Sequence, residues 1–498
     1  MRTDGMNASS STRTAAAAGL RALRQIPGPP AWPFVGNLLQ VELPRMHAQL
    51  EAWADRYGPL YRLRLGWRNA LVVSRPELIA AMLRDRPDGW RRMQAMQAVI
   101  REMGSHGLFS AEGDDWRRQR RLVMAAFDPG HLKRYFASLV VVTQRLRRRL
   151  DSAARGHEAI DLQTLLMRYT VDVTAGLAFG IDINTQQQPD DPLMSHLDRM
   201  FPMLWRRLNA LVPWWRCVPL PSDREFERHL ATVHEAVRGF VQSARGRMAR
   251  EPRLREQPSN LLEALVAARD DEGAGLSEEE LIGNVLTVLL AGEDTTANTL
   301  GWLLYLLHTH RPAWDRLVAE VDAALADDPM PRSFEAARGL EFIEQCANEA
   351  MRLRPVAPLS FLENNLPTSL DGVALSSGTL VICLMRSGAV DTRLAADAAE
   401  FRPARWSQGA GARACDAGGE AAGAQGLLRA SMPFGAGPRL CPGRYLAMLE
   451  IKMVIATLAR NFDLIEVATP DATPPKERLA FTMFPQALKM RLAPRTAR

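Results

Sequence analysis

Apolar residues return every third or fourth position along most of the chain, the spacing that gives an α-helix one apolar face. The pattern predicts helices over 43–57, 76–84, 114–126, 132–151, 160–179, 223–249, 259–270, 277–310, 312–326, 338–353 and 443–460. The longest opens with Ser277, and Glu280 stands three residues on, so each side chain can bond the other's backbone N–H and fix the start. At 1.5 Å per residue this helix would run about 50 Å. Period-two alternation is rarer. "LYRLRLGWRNALVVS" (60–74) turns around Gly66 and Asn69 as a hairpin does, and strand-like runs follow at 370–384 and in the C-terminal tail. The prolines of "IPGPPAWPFVGN" (26–37) impose an extended, turning lead-in. No segment repeats at a fixed period. The charged stretch "REPRLREQPS" (250–259) and the Gly/Ala-rich stretch 407–426 break the pattern, but neither divides two self-sufficient cores. The expectation is a mainly α fold with small β-sheets: a disordered tail over 1–25, then one domain over 26–498.

Composition narrows the class. Hydrophobic residues at 47% and charged ones at 24% are ordinary for a globular protein. A net charge of +6 with no nucleic-acid motif beside it speaks against nucleic-acid binding. The most apolar stretch, 281–307, carries Asn284, Glu293, Asp294 and Asn298, so no transmembrane span is expected. The cysteines at 217, 346, 383, 415 and 441 are scattered, odd in number and free of any CxxC pair, which points to a reducing, cytoplasmic location without a disulfide framework. Lysine occurs only at 133, 452, 476 and 489, and the resulting arginine bias points to a GC-rich, bacterial source.

Cys441 alone has a marked setting, the loop "FGAGPRLCPG" (434–443) directly ahead of an amphipathic helix. The free N–H groups and positive end of that helix would stabilise a thiolate. Gly435, Gly437 and Gly443 let backbone pass close to a flat object. A nucleophilic cysteine needs a positioned base and zinc needs three further ligands, yet no His or other Cys stands within twenty residues. A single thiolate can ligate haem iron, while a buried free cysteine is the plain structural alternative. The loop resembles the haem-binding loop of the cytochrome P450 family, F-x-x-G-x-R-x-C-x-G, matched by Phe434, Gly437, Arg439, Cys441 and Gly443.

Three further segments fit that resemblance. "LLAGEDTTANTLGW" (289–302) is similar to the family's acid-alcohol segment, which implies that Ala291 lies against haem, Thr295 holds dioxygen and Asp294 helps deliver protons. Gly292, with Thr295 bonding back to the carbonyl of Ala291, predicts a bulge or kink there. "EAMR" (349–352) and "FRPARW" (401–406) resemble the family's buried ion-pair motif, implying that Glu349, Arg352 and Arg405 form a structural triad. "GDDWRRQRR" (113–121) places Trp116 and Arg120 one turn apart, and by resemblance these bind a haem propionate together with Arg439. Two departures stand out: Val390-Asp391 replaces the usual Arg-Asp, and the strand after Arg354 lacks a basic residue that often binds a propionate.

The resemblance covers 26–492 and implies the single-domain cytochrome P450 fold, with haem b between the long central helix and the cysteine-ligand loop. It implies a haem-thiolate monooxygenase that puts one oxygen atom from O2 into a lipophilic small molecule, by hydroxylation or epoxidation. The 57 residues after Cys441 hold no flavin or iron–sulfur motif, so electrons are expected from an external ferredoxin, flavodoxin or flavoprotein reductase, with NAD(P)H acting only indirectly. Arg117, Arg118, Arg121 and Arg444 would face that donor. Substrate-pocket candidates are Met96, Val99, Ile100, Leu108, Leu290, Val356, Leu359, Phe361 and Met483, each equally plausible as core. Trp205, Trp214 and Trp215 of "MLWRRLNALVPWWR" (203–216) would form a lid over the entrance, touch a membrane surface or, the favoured reading, pack plainly. A haem-thiolate isomerase, dehydratase or peroxygenase and a non-catalytic haem sensor are the alternatives. Neither needs the Asp294-Thr295 pair.

Overall fold

A computed structural model describes residues 19–188, 192–210, 212–269, 273–407 and 426–495. The Gly/Ala-rich run 408–425, Cys415 and the first eighteen residues of the expected tail lie outside these. The chain groups into two compact units: the first comprises 1–96, 352–400 and 408–441, and the second 97–351, 401–407 and 442–498.

A five-stranded mixed sheet organises the first unit. Its spatial order is Leu60–Leu65, Arg68–Val73, Leu380–Leu384, Leu359–Asn364 and Trp90–Arg92, with only the Arg68–Val73 and Leu380–Leu384 pair parallel. Side chains of Arg68–Val73 alternate between two cores, as the pleat requires. Leu71 and Val73 join Ile79, Met82 and Leu83 of helix Pro76–Arg84 on one face, while Ala70 and Val72 join Leu50 and Tyr61 on the other. The predicted hairpin is present, turning at Gly66 with φ of 62°. Strand Arg21–Ala22, within the last residues of the expected tail, pairs in parallel with Val373–Ala374.

The second unit is mostly helical. Its longest helix, Glu278–Thr309, has 32 residues, about 48 Å at the α-helical rise, and opens with the predicted Ser277–Glu280 capping box. It runs as α-helix throughout, without the expected bulge. Gly292 serves close packing instead: a Cβ there would fall 2.8 Å from Oγ1 of Thr174 on helix Leu162–Phe179. Strands Phe462–Ala468, Lys489–Pro494 and Ile160–Asp161 form one small sheet, and Glu477–Leu479 pairs with Met483–Pro485 in another. Helices Pro192–Leu208 and Phe334–Arg338 and the helix Gln94–Glu102 were not predicted; the first carries Pro202 in its interior. Among the described residues, no helix is long and apolar enough to cross a membrane.

Candidate active site

Residues 434–441 of the cysteine loop belong to the first unit, and Pro442 and Gly443 to the second. Gly437–Arg439 form a 3-10 turn, and Gly435 and Gly437 take left-handed φ values of 78° and 69°. The Cys441 N–H donates to the Phe434 carbonyl at 3.0 Å, closing the loop on itself. A Cβ on Gly437 would fall 2.5 Å from the Leu83 carbonyl oxygen and 2.6 Å from the Arg84 Cα, so only glycine lets the loop lie against the end of helix Pro76–Arg84. A Cβ on Gly435 would meet nothing within 4 Å, which leaves the backbone there open to a flat partner. Gly443 caps helix Arg444–Asn461 without a side-chain bond. The other described thiols contrast with Cys441, which is half-buried. Cys346 and Cys383 are buried in apolar core, and burial pushes both up, Cys383 to about 12, so neither ionises near neutrality. Cys217 is exposed. Among the described residues, no cluster of three His, Cys, Asp or Glu side chains could hold a metal ion. The single half-buried thiol of Cys441 fits a one-sulfur ligand to haem.

In the second unit, the Thr295 hydroxyl donates to the Ala291 carbonyl at 2.8 Å, as the sequence predicts. Ala291 is exposed on the helix, and Leu290 and Thr295 are half-buried. Asp294 is the centre of a network the sequence does not announce. Its Oδ1 accepts from Asn298 Nδ2 at 2.7 Å and its Oδ2 from the Thr482 hydroxyl at 2.5 Å, and Asn298 also donates to Thr482 at 2.8 Å. Burial of the carboxyl pushes Asp294 above the ordinary carboxylate range, and the two hydrogen bonds oppose that shift only in part. Asn298 is one helical turn on and was legible as a neighbour. Thr482 comes from 188 residues downstream and gave no local signal.

A second acid lies behind the same helix. Glu450, on helix Arg444–Asn461, is 1% exposed, and burial raises it well above its ordinary value despite a bond from the Thr296 hydroxyl.

Glu349 is fully buried and accepts from Arg405 Nε, from the Arg402 backbone N–H and from Trp406 Nε1, each at 2.9 Å. Arg352, three residues on in helix Glu341–Leu353, donates to the carbonyls of Ala389 at 2.5 Å, Ala398 at 2.7 Å and Glu400 at 3.1 Å. Arg402 and Trp406 are structural partners that the motif alone did not identify. Asp391, of the departing Val390-Asp391 pair, accepts from Arg393 Nη2 at 2.7 Å.

Trp116 is buried and Arg120 half-buried on helix Gly113–Ala126, one turn apart as predicted, and Arg439 is half-buried in the cysteine loop. On that same helix Arg118 pairs with Glu280, and Arg117 with Asp114 at 2.5 Å. Arg444 stacks on Tyr445, its guanidinium 4.3 Å from the ring centre.

The pocket candidates divide between the units. Met96, Val356, Leu359 and Phe361 belong to the first, where Leu359 and Phe361 pack against the Leu50–Tyr61 core. Val99, Ile100, Leu108, Leu290 and Met483 belong to the second, where Met483 is fully buried in its strand. The tryptophans at 214 and 215 pack plainly: their rings meet edge-on at 5.2 Å, and buried Trp215 donates to Glu102 at 2.9 Å.

The family model for cytochrome P450 matches residues 26–492. The chain is 29% identical to pentalenene oxygenase of Streptomyces avermitilis, covering 94% of this chain and 97% of that one. It is 24% identical to cytochrome P450 3A6 of Oryctolagus cuniculus, over 89% of this chain and 86% of the relative. Thromboxane-A synthase of Mus musculus is 26% identical, over 86% and 84%. With the whole folded chain matched and the cysteine loop shaped as described, the protein belongs to the cytochrome P450 family, the haem b monooxygenases.

Proposed function

We propose that the protein inserts one oxygen atom into a C–H or C=C bond of a lipophilic small molecule in the cytoplasm, drawing electrons from a separate acidic donor protein. The bound haem supplies oxygen activation: O2, two electrons and two protons yield one oxygen atom in the product and one in water. Cys441 is its thiolate ligand, and Gly435 and Gly437 give the loop the backbone freedom to lie flat against it. Arg439, Trp116 and Arg120 bind its propionates, guanidinium to carboxylate. Asp294 keeps its proton to higher pH than an exposed carboxyl, and its two neutral donors fix the carboxyl's direction. The Thr295 hydroxyl spends its proton on Ala291, so its lone pairs face outwards as an acceptor beside the proton path. Met96, Val99, Ile100, Leu108, Leu290, Val356, Leu359, Phe361 and Met483 are the apolar pocket candidates.

The observation that carries this reading is Asp294 held by Asn298 and Thr482 directly before Thr295. A haem-thiolate isomerase or dehydratase and a passive haem sensor reduce no O2, so none of them needs the acid-alcohol pair to bring protons for that reduction. A relative named pentalenene oxygenase supports oxygen insertion as the reaction. In Thr295→Ala, NAD(P)H consumption through the donor should continue while hydrogen peroxide replaces most of the product. Unchanged coupling would remove Thr295 from the mechanism, and product formation without any reductant would overturn the monooxygenase reading.

A further inference from the structure

Helices Pro192–Leu208 and Pro221–Arg250 of the second unit run side by side in opposite directions, and polar contacts of two different kinds hold their two ends. At the end beside their connection, Arg206 and Arg207 both reach the fully buried Asp223 at 3.3 Å. The Arg207 guanidinium also lies 4.5 Å from the centre of the Phe226 ring and 5.1 Å from that of Trp215. Arginine does not give up its proton in a protein, so this end is insensitive to pH in the histidine range. At the far end the contact is His196 Nδ1 to His229 Nδ1 at 2.6 Å, with the ring centres 4.8 Å apart.

A hydrogen bond between two Nδ1 atoms takes one proton and one lone pair, so at least one ring is neutral while it is made. The surroundings decide which. Glu225 Oε1 stands 3.6 Å from His229 Nε2, whereas burial, His229 and Arg199 together hold His196 below the ordinary histidine range. His229 is therefore the donor and His196 the acceptor. The other charges nearby are engaged or face elsewhere. Arg199 comes within 3.9 Å of Glu225. On the helices Leu261–Ala267 and Glu278–Thr309, which also pack on Pro221–Arg250, Glu263 pairs with Arg247 at 2.9 Å and Glu278 with Arg245 at 3.0 Å. Arg101, Glu102 and His106 lie against Glu227 and His234, which at 100° per residue is the opposite face of the helix from Glu225 and His229.

We propose that the His196–His229 contact is a pH-operated latch: protonation of His196 sets N–H against N–H, the bond breaks, and the Pro192 end of its helix swings away while the Leu208 end stays pinned to Asp223. Pro202 marks the hinge, because proline lacks the N–H that would tie it to the preceding turn and the segment ahead of it depends on its side-chain contacts. The sign follows from which ring accepts. The latch is shut at neutral and alkaline pH and opens as pH falls through the lowered value of His196. Helix Pro221–Arg250 packs on Glu278–Thr309, which carries Asp294 and Thr295, so the latch stands one layer from the candidate site.

The test is hydrogen–deuterium exchange of the full-length haem-loaded protein at about pH 8 and about pH 5, corrected for the intrinsic pH dependence of exchange. Expected at the lower pH is a rise of about tenfold or more in the opening of 192–201, with 203–208 unchanged and the Soret band intact. His196→Phe keeps a ring between the helices without a titrating nitrogen, and His229→Asn offers a carbonyl that a protonated His196 can bond; each should remove the pH dependence. Equal opening at the two pH values in the wild type, or the wild-type pH dependence in either variant, would overturn the latch. So would exchange that rises together over the whole chain, or protection of 192–201 that zinc raises at neutral pH and a chelator reverses, which would assign the pair to a metal ion.

Discussion

Two carboxyls, half-buried Asp294 and fully buried Glu450, hold their protons above the ordinary range for the same reason, desolvation of the charged form. Their settings differ. Asp294 receives two donors beside Thr295, whereas Glu450 is enclosed and bonded by Thr296. The consequence for stability has a definite sign. Unfolding frees Glu450 to ionise at its normal value while the folded state keeps it protonated, so the fold binds the proton more tightly. Stability from this group is complete below the unfolded value and is lost as pH rises towards the folded one. Glu450→Gln keeps an oxygen for Thr296 and abolishes the titration. Its melting temperature should fall less than that of the wild type between mildly acidic and alkaline pH. Parallel curves would show that Glu450 is not a buried neutral acid.

Elements fix where these residues stand. The turn Gly437–Arg439 lies so close to helix Pro76–Arg84 that no side chain fits at Gly437, and its φ of 69° penalises any L-residue there as well. Gly437→Ala should cost about 1–3 kcal/mol in strain and clash, read by denaturant unfolding, and should lower the haem-to-protein ratio on purification. Wild-type stability and haem content in that variant would show that the loop does not need glycine. Much of this level was legible in the sequence. Pro76 at the first helical position and the Ser277–Glu280 box marked true helix starts, and the Gly66 turn marked a true hairpin. Strand Trp90–Arg92 was not legible, because it is three residues long and finds its partner far along the chain, whereas the strand expected after Arg354 is present as Leu359–Asn364. Helix Pro192–Leu208 was hidden by its internal Pro202. The same limit applies to the site: Cys441, Asp294 and Thr295 lie in local motifs, while Thr482 reaches Asp294 only through the tertiary fold.

At the scale of the whole molecule, the proposed steering of a reductant by charge needs a source. The sequence carries 62 Lys and Arg against 56 Asp and Glu, an excess too small to act as a global attractor, so local arginines must do the steering. Arg118 is already engaged by Glu280, and Arg444 is stacked on Tyr445 with half-buried exposure. Arg121 is exposed on helix Gly113–Ala126 and is a further candidate for that contact. Raising ionic strength from about 0.1 M to about 1 M shortens the screening length from about 10 Å to about 3 Å, and the rate of reduction by an acidic ferredoxin or flavodoxin should fall accordingly. A salt-independent rate would contradict charge steering. The central claim, that the sulfur of Cys441 is the ligand of haem iron, is tested most directly by the carbon monoxide difference spectrum of the reduced protein beside that of Cys441→Ala. A thiolate-type Soret band in the wild type that is lost in the variant is the predicted result. The same band in both, or in neither after haem supplementation, would contradict it.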